Sequence, residues 1–201
     1  LMKELDSAGQ PPEGRFFADA YRFPKGTTDV ALLRQAYQAM EHRLSDAWAS
    51  RAADLPYSSP YEALIMASLV EKETPIDAER PLVASVFQNR LAKDMPLMTD
   101  PSVIYAALLN GRYRGTIYES DLQADSPYNT YLHQGLPPGP ICNPGLKSLQ
   151  AAMHPATTDY LYFVAAGADP SGKSRFSATI EEHAKDVQAY RRAVRQAGQP
   201  Q

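Results

Sequence analysis

The sequence predicts an α+β domain, predominantly helical, with one small antiparallel sheet. Three observations carry this. Apolar residues recur at spacings of three and four along several long stretches, the period of a helix with one buried face. Most of these stretches open on Ser, Thr or Asp with a proline or an acidic residue just inside, the chemistry of a helix start. One run, Tyr160-Leu161-Tyr162-Phe163-Val164, is dense in aromatic and branched side chains, and Arg175-Phe176-Ser177 follows as a partner strand for a hairpin.

In chain order, residues 1–14 are polar and hold Gly9, Pro11, Pro12 and Gly14, the composition of a weakly ordered linker or of the tail of a preceding domain. Phe16, Phe17, Tyr21 and Phe23 follow without helical spacing, so this piece is expected to be extended and to pack its aromatics on the rest. A long amphipathic helix is predicted from Thr27 to about Ala53, capped by Thr27 or Thr28, with Val30, Leu33, Tyr37, Met40, Leu44 and Trp48 on one face. The next begins at Ser59-Pro60-Tyr61-Glu62: Ser59 caps, Pro60 takes the first helical position, and Glu62 reaches back as in a capping box. Its body, Ala63 to Val70, leaves almost no polar face, which places it in the core.

A third helix is expected from Ala78 to Lys93, and a fourth from Thr99-Asp100-Pro101, with Asp100 as the cap, to a stop at Gly111. From Tyr118 to Gly145 regular patterning fails and prolines accumulate at 127, 137, 138, 140 and 144. A loop of that length is either disordered or functional. Tyr128, Tyr131, Leu136 and Ile141, with prolines that lower the entropy lost on ordering, argue for an ordered loop that builds a surface. A short helix over Gly145–His154, the hairpin with its turn at Asp169 to Lys173, and a last helix capped by Thr179 or Ser177 and ending near Gly198 complete the chain.

The 201 residues are 44% hydrophobic and 21% charged, enough to bury a core. A net charge of −3 with scattered lysine and arginine gives no electrostatic footprint for nucleic acid. Cys142 is the single cysteine, so no intramolecular disulfide forms, and His42, His133, His154 and His183 lack metal-ligand spacing and read as surface or hydrogen-bonded residues. No metal or cofactor is implied. No stretch approaches the roughly 18 consecutive apolar residues of a membrane span, and no signal peptide is visible; a chain that starts at Leu1 reads as a piece cut from a longer protein.

The chemistry concentrates where the buried helix ends, in Glu71-Lys72-Glu73-Thr74-Pro75. Glu73 continues the apolar stripe of Met66, Leu69 and Val70 into the last turn, and the residue before Pro75 is pushed out of helical geometry, so the helix stops there. A carboxyl at the negative end of the helix dipole and partly buried has its ionised form disfavoured twice. That is the state of a general acid. The competing reading is a solvated glutamate, or one paired with Lys72, Arg80 or Arg90. Glu71 lies about 200° round the helix from Glu73, so only one of the two can face a given site. Ordinary glycoside hydrolysis needs a second carboxylate; Asp100 is the best candidate, although a helix cap explains it better.

The run EALIMASLVEKET, then VFQNRL, LMTDPSVIY, DSPYNTY, GLPPGPICNPG, YLYFVA and FSATIEEH, closely resembles in order and spacing the bacterial endolytic murein transglycosylase family, also called YceG-like, over about residues 13–190. The resemblance implies a lysozyme-like, lytic-transglycosylase-like catalytic domain over residues 15–198. It implies a membrane anchor and a LysM-like subdomain, both missing here, and a catalytic part that faces the periplasm from the cytoplasmic (inner) membrane. It implies that the second glutamate of the EKE motif, Glu73, is the catalytic acid and base. A lytic transglycosylase cleaves between N-acetylmuramic acid and N-acetylglucosamine and closes the ring with the sugar's own 6-hydroxyl, so one carboxyl suffices. Peptidoglycan glycan strands are then the substrate and penicillin-binding synthases the implied partners.

Substrate contacts are expected from Asp100, Tyr105, Tyr128, Asn129, Tyr131, Asn143 and Ser177, each of which also has an ordinary packing or turn-forming explanation. Met98 stands where the family usually shows glutamine, Arg175 falls where histidine is common, and Ala184 follows His183 where asparagine is usual. Two other functions compete: a muramidase that delivers water with help from Asp100, and a non-catalytic glycan-binding or synthase-partner module in which Glu73 is structural.

Overall fold

Helix starts in this chain are set by the side chains that satisfy their first N–H groups. In the computed structural model, which describes residues 1–169 and 172–198, α1 (Asp29–Ala49) opens on Thr28, whose hydroxyl accepts from the Ala31 N–H. It ends four residues before the expected Ala53, where Ser50 turns its hydroxyl onto the Asp46 and Ala47 carbonyls. Helix α2 (Pro60–Glu73) opens on Ser59, which accepts from Glu62 N–H. Glu62 reaches one residue further back than a capping box requires and accepts the Ser58 N–H at 2.6 Å.

Helix α3 spans Arg80–Ala92 and α4 spans Asp100–Leu109. The cap of α4 is Thr99, not Asp100, which is already the first helical residue and sits where a negative charge suits the dipole. The stretch read as irregular holds a single short turn of helix, α5 (Glu119–Leu122). Helix α6 (Leu146–Met153), strands β1 (Tyr162–Ala165) and β2 (Ser174–Ser177), and α7 (Ile180–Ala197) follow. Thr179 caps α7 in a reciprocal box with Glu182. The strands pair antiparallel with Phe163 opposite Phe176 and Tyr162 opposite Ser177. Of the predicted hairpin turn, residues 170 and 171 lie outside the described residues.

The buried centre is α2: Ala63 through Val70 are all buried, and α1, α3, α4 and α6 pack against it. Leu64, Met66, Leu69 and Val70 are fully enclosed, and each such side chain contributes about 1.5–3 kcal/mol by leaving water. The proline-rich loop is fastened along the same helix: the Ile141 N–H donates to Ser68 Oγ at 3.0 Å and the Gly145 N–H to Glu71 at 3.0 Å. The hairpin and α7 pack on each other and meet the helical part chiefly through β1 and α3. Glu79 ties them in, its carboxylate accepting from the Ser174 N–H at 2.7 Å and the Ser174 hydroxyl at 3.0 Å.

Despite their linker-like composition, residues 1–14 pack on the domain: the first seven against α1, and Glu13 and Gly14 against Tyr105 and Pro140. Met2–Leu5 form a 3-10 turn, Leu5 is buried, and Ser7 Oγ meets Tyr37 Oη at 2.6 Å. Burying one leucine and making these contacts offsets part of the entropy of ordering this stretch. The aromatics that follow divide: Phe17 is buried and Phe16 packs edge-on against Tyr37, whereas Phe23 is 57% exposed.

Candidate active site

Glu73 is the last residue of α2, and Thr74 breaks the helix by going extended ahead of Pro75. Its carboxyl opens into a cavity of about 300 Å³. Phe87 and Arg90 of α3 line that cavity, as do Leu97 and Met98 before α4, Asp100 at the start of α4, Tyr131 of the proline-rich loop, Phe163 of β1 and His183 of α7. Burial pushes the Glu73 carboxyl up to about 7; the nearby Asp100 carboxylate pushes the same way, and a hydrogen bond from the Thr99 hydroxyl opposes them. Glu73 is therefore a protonated acid over much of the neutral range, with part of its surface still open to the cavity.

The two glutamates of the motif separate as the helical angle requires. Glu71 Oε2 accepts from Arg80 at 3.1 Å, from the Gly145 N–H at 3.0 Å and from the Ser148 hydroxyl at 2.6 Å, joining α2 to α3 and α6. Of the cations weighed for Glu73, Arg80 is taken by Glu71, Lys72 is exposed, and Arg90 donates to the carbonyls of Leu161, Pro96 and Leu97 at 2.7, 3.0 and 3.1 Å. Glu73 makes no ion pair among the described residues. The dry surroundings, rather than a charge partner, govern its proton.

The turn before α4 presents Thr99 to Glu73. Met98 sits in the left-handed region at φ 52, uncommon for a side chain of its size, and its N–H donates to the Thr130 carbonyl at 3.1 Å. The Thr99 N–H is held by Thr130 Oγ1 at 3.0 Å, which leaves the Thr99 hydroxyl for Glu73 rather than for capping α4. Asp100, freed from the capping role, accepts the Tyr131 hydroxyl at 2.6 Å. Met98, 47% exposed, stands on the cavity wall.

Of the predicted site residues, the structure brings Glu73, Asp100 and Tyr131 to one cavity. The other five do not line it. Tyr105 and Tyr128 pack on each other with ring centres 4.8 Å apart, and Tyr105 donates to Glu13 at 3.4 Å. Asn129 is buried, its amide donating to the Leu122 and Ala124 carbonyls at 2.9 Å while its oxygen accepts the Tyr131 N–H, so it shapes the loop from inside. Asn143 accepts the Phe16 N–H at 3.0 Å, and buried Ser177 donates to Asp186 at 3.2 Å. Arg175 pairs with Asp186 at 3.5 Å, and Ala184 is exposed on α7. Sequence reasoning missed Thr99, Phe163 and His183 as cavity residues and weighed Arg90 only as an ion-pair partner of Glu73; Thr99 read as part of the helix start at Thr99-Asp100-Pro101.

The model of the YceG-like family matches residues 2–189. The chain belongs to the YceG-like family. Over 185 residues it is 41% identical to an endolytic murein transglycosylase of Bacillus subtilis, covering 90% of this chain and 48% of that protein. A protein of the same name from Streptococcus pneumoniae is 34% identical over 178 residues, covering 87% of this chain and 31% of that one. The chain thus spans about half the length, or less, of these curated relatives. Its fold is shared with a 2.6 Å crystal structure of a yceG-like protein from Listeria monocytogenes, with a TM-score of 0.72 and 36% identity, covering 91% of this chain and 58% of that one. The YceG-like fold is mostly helical, with the two-stranded sheet as its β part.

Proposed function

We propose that this chain is the catalytic part of a lytic transglycosylase that cuts peptidoglycan glycan strands internally. The bond cut is the β-1,4 bond between N-acetylmuramic acid and N-acetylglucosamine in nascent peptidoglycan. The observation that carries the reading is Glu73: a carboxyl with no ion pair among the described residues, raised to about 7 by burial, at the wall of an open cavity. The names of the relatives in Bacillus and Streptococcus supply the reaction class.

In this reading the protonated Glu73 gives its proton to the glycosidic oxygen as the bond from the muramic acid C1 breaks, and N-acetylglucosamine departs as an alcohol. The positive charge left at C1 is shared with the ring oxygen or the 2-acetamido group. The Glu73 carboxylate then takes the proton of the muramic acid 6-hydroxyl as O6 bonds to C1, giving a 1,6-anhydro end without water. Asp100, fixed by Tyr131, supplies negative charge beside the developing cation. The same proposal takes the helical core as lysozyme-like, on the strength of an acid glutamate closing a buried helix.

Residues 15–198 are proposed as the catalytic domain, residues 1–14 as a linker or the tail of a LysM-like subdomain, and the periplasmic face of the cytoplasmic membrane as its place of work, where nascent strands lie. Among the described residues no helix is long and apolar enough to cross a membrane. Attachment by a single-pass anchor and cooperation with penicillin-binding synthases rest on the family resemblance.

Uncrosslinked glycan strands incubated with the purified protein, with products read by mass spectrometry, test the reaction. Anhydro-muramyl ends are expected, with a loss of at least about 10²-fold in Glu73→Gln. Finding no such ends, or full activity in that variant, sinks the reading. The presence of Asp100 in the same cavity favours one rival, a water-using muramidase, which would yield reducing ends and depend on Asp100 as strictly as on Glu73. A non-catalytic glycan-binding module would bind strands and turn over none.

A further inference from the structure

His183 read from the sequence as an ordinary surface or hydrogen-bonded histidine. Its ring instead faces the cavity of Glu73 from α7, on the hairpin side. The imidazole stacks on Tyr162, with ring centres 5.1 Å apart and planes 21° from parallel, and the Arg90 guanidinium covers Tyr162 at 5.2 Å. Arg90 is itself pinned by three backbone carbonyls. The ring is thus held on a platform that costs little further ordering when something binds.

Two facts set its chemistry. Burial and the neighbouring Arg90 lower its pKa, with Asp186 opposing, so the ring is neutral near pH 7. Nδ1 is buried with no hydrogen-bond partner among the described residues. A buried orphan acceptor is more readily tolerated than a buried orphan N–H, so the ring proton belongs on Nε2. With Nδ1 enclosed, Nε2–H is the ring's remaining polar group, and the cavity is what the ring lines.

We propose that His183 is a substrate-contacting residue of this site, donating its Nε2–H to the acetamido carbonyl of an N-acetylhexosamine seated between Glu73 and α7. That carbonyl is the strongest neutral acceptor an N-acetylated glycan offers. The assignment rests on the glycan-cleaving reading above and adds to it the group that selects N-acetylated sugar on the α7 side. His183→Phe keeps the stack on Tyr162 and removes the donor.

The test compares this chain and His183→Phe, each in the active form and in the inactive Glu73→Gln form, on uncrosslinked glycan strands before and after chemical de-N-acetylation. Expected are a loss of about tenfold in kcat/KM and in binding on His183→Phe, the size of one hydrogen bond in a dry site, and a de-N-acetylation penalty that shrinks in the variant. In Glu73→Gln the imidazole 15N resonances of His183 should shift on adding acetylated strands and not on adding deacetylated ones. Unchanged resonances, or a His183→Phe that binds and discriminates like the parent, overturn the proposal. If the parent binds and shifts His183 but produces no cleavage, the glycan-cleaving reading fails and the contact stands.

Discussion

At Glu73 the charged form is disfavoured by burial and by the Asp100 carboxylate, and only the Thr99 hydroxyl favours it. Cleavage that needs the protonated acid should therefore fall as pH rises through about 7, read as kcat/KM on glycan strands. Removing the one opposing contact with Thr99→Val should push that limb to higher pH; a limb that stays in place denies the hydrogen bond its role. The same group makes a stability prediction. Its folded value of about 7 lies above the ordinary 4.5, so between those values the unfolded chain releases a proton that the folded chain keeps. Stability contributed by Glu73 is fully present below 4.5, is lost as pH rises through about 7, and stays lost above. Glu73→Gln should melt higher than the parent at about pH 8, with the advantage shrinking towards about pH 4. This residue was legible in the sequence because helical angle, dipole and proline stop are all local. His183 was not, since nothing in its surroundings along α7 tells which element it will face.

Among the elements, α2 shows how the helix end that carries Glu73 is kept in place. The carboxylate of Glu71 takes a guanidinium from α3 and a backbone N–H and a hydroxyl from the start of α6. Glu71→Ala leaves Arg80 partly buried without that partner and frees the Gly145 turn, and should lower the unfolding free energy by about 2–3 kcal/mol in chemical denaturation. The existence and type of the main helices followed from periodicity and capping residues. Their edges followed less well, because tertiary partners compete for the caps: Thr99 gives its hydroxyl to Glu73 and moves the start of α4 by one residue, which turns Asp100 from a cap into a cavity residue. Helix α5 is too short to show a period. The start of β1 moves to Tyr162 because Asn89 and Arg90 on α3 take the carbonyls of Tyr160 and Leu161.

For the molecule as a whole, the cavity is assembled from α2, α3, the approach to α4, the proline-rich loop, β1 and α7, segments that lie far apart along the chain. The loop is held from both sides, by α2 and by the N-terminal segment. At Gly14 the latter passes at φ +79 so close that a Cβ would stand 2.6 Å from Pro140 Cβ and Cγ. Gly14→Ala should cost more than about 1 kcal/mol and loosen that seam, seen as a lower melting temperature and faster cleavage by a protease within residues 1–14. Composition, helical period, caps and the proline stop after Glu73 are properties of neighbouring residues, so the sequence alone determined a mostly helical domain with a small hairpin and a buried helix that closes on a carboxyl. Which tyrosines and asparagines reach that acid depends on contacts between distant segments. Only the tertiary structure spent Asn129 and Asn143 on shaping loops, paired Tyr105 with Tyr128 away from the cavity, and brought Asp100, Tyr131 and His183 to face Glu73.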